Sequence, residues 1–459
     1  MVCNIYQIII NRIEYFIFLS DYKRRLNRFR KIVLITLLVA LVNYDPGAIE
    51  RGNTFTDKLI PGNVRLQNSM SEGLEFSGME RTIRSFMRRW EIAGASIAVS
   101  KNGQLVYAKG FGLADKSKNT EIEPYNKFRI ASISKLVTAV AIMKLQEEGK
   151  LSVSDCVFGP DGILNDTFYS DPKDKRVYGI TVAHLLSHEG GWSTRWGDQM
   201  FIPFVVAESM GVNPPVDTKT IVRFALNKGL HFTPGTGRAY SNLGYEILGL
   251  FIEKVTGMSY YDYCRKEILE PIGIYDMTLA RNLPDEKAPY EVTYYEPEDA
   301  VLKPSIYGTD SLVPASYGGN DIEALGGAGG WLATAPDLMK LLLAIDGFDS
   351  KKDILGRESI TYMTDPNRGF APVGWKTTIY DGTWWRTGTF PGSACMMKRQ
   401  SDGTAWVVLL NTSAWNGPEI ASDINYMMAR ALSQTKAWPK RDLLDYSLPV
   451  PLNSDFSNN

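Results

Sequence analysis

The sequence predicts an α/β fold of the α+β kind: an antiparallel sheet flanked by helices, joined to a mostly helical lobe. Three observations lead there. Near one end, Asn102-Gly103 separates two apolar strands, and Asn-Gly in that setting is the strongest short-range hairpin signal. Near the other end, strand-like runs fall at about 383–388, 393–399 and 404–411, with Ser401-Asp402-Gly403 as a turn. The stretch between them is mainly helical in pattern, so one sheet must be assembled from distant parts of the chain. With 459 residues, 44% of them hydrophobic and 22% charged, the chain can bury a large core in two lobes.

Taken in order, residues 1–45 form a leader. Lys23, Arg24, Arg25, Arg28, Arg30 and Lys31 precede the apolar run Ile32–Val42. That run suits a signal-peptide core and is short for a membrane span. The expectation is export to a periplasm or the extracellular space. Because the small-residue pairs after the run make a poor cleavage site, an anchor formed by residues 32–42 is the alternative. Residues 46–75 are polar and contain Gly, Asn and Ser, and they read as a tether. One folded domain then spans 76–438, its helical lobe at about 155–320, and residues 439–459 read as an extended tail.

Within the domain, Phe128-Arg-Ile-Ala-Ser-Ile-Ser-Lys135 opens the run Leu136–Met143, apolar on nearly every face, with Gly149 as a stop. Such a helix is buried. Ser132 and Lys135 stand three residues apart, on one helical face. A lysine at the start of a buried helix is costly without a partner or a task. Burial and nearby positive charge lower its pKa, so its amine can take a serine proton. Ser132 would also lie at the positive end of the helix dipole, where an oxyanion is favoured. Ser-x-x-Lys is common by chance, and a solvated N-cap is its plain alternative.

Two further segments carry polar groups at element junctions. Phe232-Thr-Pro-Gly-Thr-Gly-Arg-Ala-Tyr240-Ser-Asn242 is a turn followed by a helix running to Gly257. Trp384–Gly392 is an aromatic strand carrying Arg386-Thr387-Gly388-Thr389. Taken singly, Tyr240 reads as a buried aromatic, Asn242 as a helix cap and Arg386 as a strand charge. Trp384 and Trp385 alternate faces, so at most one of them lines a cleft.

Several function classes are disfavoured. A net charge of −1 and the lack of a basic stripe argue against a nucleic-acid surface. His184 and His188 fall at i, i+4 on one short helix, but His-Leu-Leu-Ser-His lacks the glutamate of a zinc-protease helix, so packing and hydrogen bonding are expected of them. Glu189 and Trp192 beside them read as a solvated loop. No Gly-x-Ser-x-Gly elbow is present. Cys3, Cys156, Cys264 and Cys395 suggest neither a disulfide framework nor a metal site. The expected ligand is a small-molecule or peptide substrate, with no metal or cofactor. Membrane contact would come only through the leader, and the chain is expected to be a monomer.

Together, Ser132-x-x-Lys135, Tyr240-x-Asn242 and Arg386-Thr387-Gly388, in that order, resemble the motifs of the penicillin-binding-protein-like serine hydrolases. The class C β-lactamase type, with its D,D-peptidases, D-aminopeptidases and esterases, is the most similar branch. Ile180-Thr-Val-Ala-His-Leu-Leu-Ser-His188 and Gly326-Gly-Ala-Gly-Gly-Trp-Leu-Ala-Thr334-Ala-Pro-Asp337 match the same family, and the resemblance runs over about 76–430. It implies the β-lactamase/transpeptidase-like fold with the site in the cleft between lobes. It also implies roles. Ser132 is the nucleophile and Lys135 its proton acceptor or activating charge. Tyr240 is the base of acylation and deacylation. Asn242 orients Lys135 and the substrate amide, and the backbone N–H groups of Ser132 and Thr389 form the oxyanion hole. Arg386 departs from the commoner Lys-Thr-Gly and His-Thr-Gly. A guanidinium suits a carboxylate, which favours an acidic substrate end. An exported hydrolase of D-amino-acid, cell-wall-type peptides is therefore expected. An esterase or β-lactamase is the enzymatic alternative, and a non-turnover ligand-binding or sensor protein the alternative of another class.

Overall fold

The structure, a computed structural model, describes residues 65–368, 371–414 and 417–446. The leader, the first part of the tether and the end of the tail lie outside the described residues. In chain order, helix α1 (Ser77–Arg89) precedes strands β1 (Gly94–Lys101), β2 (Gln104–Asp115), β3 (Thr120–Glu121) and β4 (Phe128–Arg129). The central helix α2 (Ser134–Glu147) follows. Helices α3 (Val182–Leu186), α4 (Pro203–Met210), α5 (Thr218–Leu226), α6 (Asn242–Thr256) and α7 (Tyr260–Tyr263) come next, with short strands β5 (Thr278–Leu279), β6 (Lys303–Pro304) and β7 (Leu312–Val313). Strand β8 (Trp331–Ala333) and helices α8 (Ala335–Leu343) and α9 (Arg357–Thr364) lead to β9 (Thr377–Thr378), β10 (Trp384–Phe390), β11 (Ser393–Arg399) and β12 (Thr404–Leu410), and helix α10 (Ile420–Ser433) follows.

The hairpin forms at Asn102-Gly103, whose φ angles of 51° and 80° are both left-handed, as a two-residue turn between twisted strands requires. The main sheet runs β3-β2-β1-β12-β11-β10-β9 and is antiparallel throughout. Its middle seam pairs β1 with β12, from Ala95 opposite Leu410 to Lys101 opposite Thr404. The two ends of the domain therefore meet in the centre of the sheet. Both faces of these strands are covered. Ile97, Val99, Trp406 and Val408 pack with Ile83 of α1 and Ile424 of α10. Ala98, Val407 and Leu409 belong to the larger core that includes α2. Burial on both sides explains why 404–410 reads as a continuous apolar run and not an alternation.

Helix α2 is buried continuously from Ser134 to Met143, so it is the axis around which the helical part packs. Of the stretch 155–320, none joins the main sheet. No helix among the described residues is long and apolar enough to cross a membrane.

The polar segments read as tether and tail are in part something else. Leu66 is buried, Asn68 Nδ2 donates to Ile122 O, and Asn68 Oδ1 accepts from Gly110 N. Ser71 Oγ accepts from Ala108 N. In the tail, Asp442 Oδ1 accepts from Leu105 N, and Leu443 and Leu444 are buried. Residues from both segments thus satisfy backbone N–H groups of β2. Their polarity serves the outer edge of a strand, which needs covering, and not solvent.

Candidate active site

A tight turn, Ala131–Ile133, brings the chain into α2 and sets Ser132 just ahead of the helix. Ser132 Oγ lies 2.7 Å from the Tyr240 hydroxyl and accepts from Lys135 Nζ at 3.4 Å. Lys135 is fully buried, and its Nζ also donates to Asn242 Oδ1 at 2.7 Å and to Ala328 O at 2.6 Å. Asn242 opens α6, yet it does not cap it: Ser241 Oγ accepts from Gly244 N and does that work. The amide of Asn242 is instead held between two charges, its Nδ2 donating to Asp198 Oδ2 at 2.7 Å. That bond turns Oδ1 toward Lys135.

Arg386, only 3% exposed, approaches from β10. Its Nε donates to Ser132 O at 2.8 Å and its Nη2 to the Tyr240 hydroxyl at 3.3 Å. Two of its N–H groups are therefore turned inward, onto the Ser132 backbone and the tyrosine, and not outward to a ligand. Thr387 and Thr389 face the cleft, a cavity of about 570 Å³ that Ser132, Tyr240 and Asn242 also line. Gly388 lies between them, where no other residue fits. A Cβ there would stand 2.2 Å from Ile130 O and 3.0 Å from Ser132 N. This contact presses β10 onto the Ser132 turn. Gly388→Ala is expected to destabilise the fold by about 1–3 kcal/mol through overpacking and to slow covalent labelling of Ser132. Thermal unfolding and labelling rates check this; wild-type values for both would mean that the strand does not bear on the turn.

The charges of the site act on one another. Burial depresses the Lys135 pKa, and Arg386 adds to the depression while Tyr240 opposes it. Burial alone would raise the Tyr240 pKa, but Lys135 and Arg386 outweigh it and bring the phenol down to about 8. As a residue Tyr240 is 44% exposed. Its hydroxyl, however, is hemmed in by Ser132 and Arg386, and the surroundings of the hydroxyl set its acidity. Phenol and amine thus approach each other in pKa and can share one proton, next to a serine hydroxyl within hydrogen-bonding distance of both. Such an arrangement can deprotonate the serine as it attacks.

Residues 79–427 match the family described as Beta-lactamase. The chain belongs to the beta-lactamase family. Its relatives there include protein flp of Staphylococcus aureus (strain MRSA252), 26% identical over 357 residues, which cover 76% of this chain and 65% of flp. The chain thus spans about two thirds of that relative's length. Among solved structures, the octameric penicillin-binding protein homologue from Pyrococcus abyssi superposes with a TM-score of 0.58 at 28% identity, over 81% of this chain and 77% of the homologue. The D-amino acid amidase from Ochrobactrum anthropi SV3 superposes with a TM-score of 0.61 at 21% identity, over 79% of this chain and 99% of the amidase, a likeness of fold. The beta-lactamase fold and membership of that family, which includes penicillin-binding protein homologues, are thereby established.

Within this beta-lactamase-family site, some residues stand differently from the expectation. His184 and His188 do not share a helix. Helix α3 ends at Leu186, and His188 follows with a φ of 61°. Its O accepts from Ala239 N, its Nδ1 accepts from Ser241 N, and its ring lies 4.6 Å from that of Tyr240. His188 thus holds the backbone on both sides of Tyr240. Burial, with Arg386, Lys135 and Arg238 nearby, keeps its pKa well below the usual histidine value, so it is neutral. Glu189 and Trp192 are buried, not solvated, because this loop is packed beneath the site. Trp384 packs 5.8 Å from Trp375, which lines the cleft, and Trp385 packs on the far core. Asp198 lies in no motif, and His188 and Ala328 lie in segments that match the family without showing these roles, since each acts through a long-range contact. Among the described residues, no group of three or more His, Cys, Asp or Glu is placed to hold a metal ion.

Proposed function

We propose that this protein is an exported serine hydrolase that cleaves amide or ester bonds through an acyl-enzyme, with D-amino-acid peptides of the cell-wall type as substrates. The observation that carries the reading is the 2.7 Å contact between Ser132 Oγ and a Tyr240 hydroxyl flanked by Lys135 and Arg386. Ser132 Oγ attacks the substrate carbonyl carbon while its proton passes to the Tyr240–Lys135 pair. Negative charge builds on the carbonyl oxygen, where the backbone N–H groups of Ser132 and Thr389 receive it. Collapse breaks the amide or ester bond, and the leaving group takes the proton held by the pair. Water then attacks the acyl-enzyme, Tyr240 accepts the water proton, and Ser132 departs with a proton returned to it. The leader's basic residues followed by an apolar run support export.

The cleft wall supports an acidic substrate. Arg238, Lys376 and Arg386 line it, and among its described lining residues there is no carboxylate. Arg238 and Lys376 are exposed there, so they supply the outward positive charge that Arg386 does not. The inward bonds of Arg386 favour a second reading, hydrolysis of neutral esters. The two separate on a panel of D-Ala-D-Ala peptides, their C-terminal amides, p-nitrophenyl esters and nitrocefin. A charge-assisted hydrogen bond is worth about 1.5–3 kcal/mol, so amidation is expected to lower kcat/KM about ten- to a hundredfold. Equal rates on acid and amide, with faster turnover of esters, would replace the peptide reading by the ester one.

A further inference from the structure

We infer that Glu246 is a positioning residue of this site: it holds the Ala328 carbonyl against Lys135 and thereby aims the lysine at Ser132. The inference rests on the reading of Ser132 and Lys135 given above. A neutral amine has two N–H groups and one lone pair, so it can serve as a base only if its N–H groups are directed elsewhere. Among the described residues, Lys135 Nζ meets Ala328 O, Asn242 Oδ1, Ser132 Oγ and the Tyr240 hydroxyl. Ala328 O can only accept, and Asn242 Oδ1 is held as an acceptor because its Nδ2 is bound to Asp198. These two obligate acceptors take both N–H groups. The remaining direction is toward Ser132 Oγ, at 3.4 Å, and the Tyr240 hydroxyl bonded to it.

The Ala328 carbonyl belongs to a glycine-rich loop whose backbone is pinned by one side chain. Glu246 Oε1 accepts from Ala328 N at 2.7 Å, and Oε2 accepts from Gly327 N at 3.3 Å. Glu246 lies one helical turn after Asn242 on α6, on the same face. One helix therefore sets both lysine acceptors, Asn242 directly and Ala328 through the loop. The loop must press close for this. A Cβ on Gly327 would stand 2.5 Å from Tyr245 O. From the other side, Thr138 on α2 donates to Gly327 O at 2.6 Å, so the loop cannot slide without breaking bonds on two helices. A carboxyl is the side chain that offers two acceptors in a fork to adjacent N–H groups. Glu246 is 4% exposed, and burying an acid there is costly. Its bonds to the loop are the compensation.

The titratable groups facing Glu246 are Lys135 from α2, Tyr260 from α7 and Asp321 from the segment before the loop. Burial raises the Glu246 pKa to about 8, against the pull of the two backbone N–H groups and Lys135. In its ionised form, in which both oxygens accept, it favours the charged lysine. Removing it should therefore let Lys135 lose its proton at lower pH, even as the lysine becomes less well aimed.

The test uses the full chain and a fluorophosphonate probe, with Ser132 labelling followed by mass spectrometry across pH. Glu246→Gln keeps the shape but sets an amide N–H against one of the two backbone donors. Its saturating labelling rate is expected to fall about ten- to a hundredfold, the scale of a misplaced reacting group, with half-saturation changed by no more than about twofold. The rising limb of its pH profile should move to lower pH. Glu246→Asp, which keeps the charge, should label faster than Glu246→Gln and keep the limb near its wild-type position. A Glu246→Gln variant that unfolds at lower temperature but labels at the wild-type rate with an unmoved limb would overturn this inference alone. Unchanged labelling in Ser132→Ala would overturn the acyl-enzyme reading and this inference together.

Discussion

Ser132→Ala is expected to remove covalent labelling by a phosphonate and to lower turnover by about 10⁴–10⁶-fold, as nucleophile deletions do where the catalytic groups act as a unit. The fold should survive the change, because Ser132 lies at the cleft surface and, among the described residues, its Oγ bonds only to Lys135 and Tyr240. The neighbouring serines have other tasks. Ser134 is fully buried and its Oγ accepts from Trp331 N, fastening β8 to α2. Ser241 caps α6. Residual activity would come from the backbone donors and from binding. Peptide mapping of the adduct decides the matter. A phosphonate on Ser134 or Ser241, with Ser132 unmodified, would remove Ser132 from the mechanism.

Tyr240→Phe leaves Ser132 and Lys135 in place but takes away the hydroxyl that bridges them to Arg386. Proton transfer by a positioned group is worth about 10²–10⁴-fold, and kcat is expected to fall by that much. Acylation should slow, and whatever acyl-enzyme forms should persist, visible as a mass increase on the intact protein. The wild type should show a burst followed by a steady rate. Its pH profile follows from the sign of the shift. In the proposed mechanism Tyr240 acts as a base in its deprotonated form, and its pKa is lowered to about 8 by Lys135 and Arg386. Activity should therefore rise with pH through about 8, a value that belongs to the tyrosine–lysine pair jointly. The variant should lose that limb. Stoichiometric labelling of the wild type with no steady phase on any substrate would point to a protein that holds its ligand without turnover.

Much of this protein is determined locally. Asn102-Gly103 dictates its hairpin because two left-handed residues in succession suit Asn and Gly. The run 136–143 dictates a buried helix because nearly every face of it is apolar. Ser132-x-x-Lys135, Tyr240-x-Asn242 and Arg386-Thr387-Gly388 bring the chemical groups, each displayed by its own element. Their convergence was legible only through their order along the chain and the family it resembles.

Tertiary packing decided the rest. Whether Arg386 faces a ligand or Tyr240 depends on how closely β10 approaches the Ser132 turn, and the absent side chain at Gly388 permits that approach. The polar stretches around Asn68 and Asp442 looked solvated, yet they satisfy the edge of β2, because polarity in a sequence does not tell water from an unpaired backbone N–H. Asp198, His188 and Glu246 tune the site across 44, 53 and 82 residues of chain. Several of their partners are backbone atoms, which every residue possesses and no residue type announces. Residue type and spacing determine which groups are available and how each segment folds. Which of those groups meet is decided only when α2, α6 and β10 pack together.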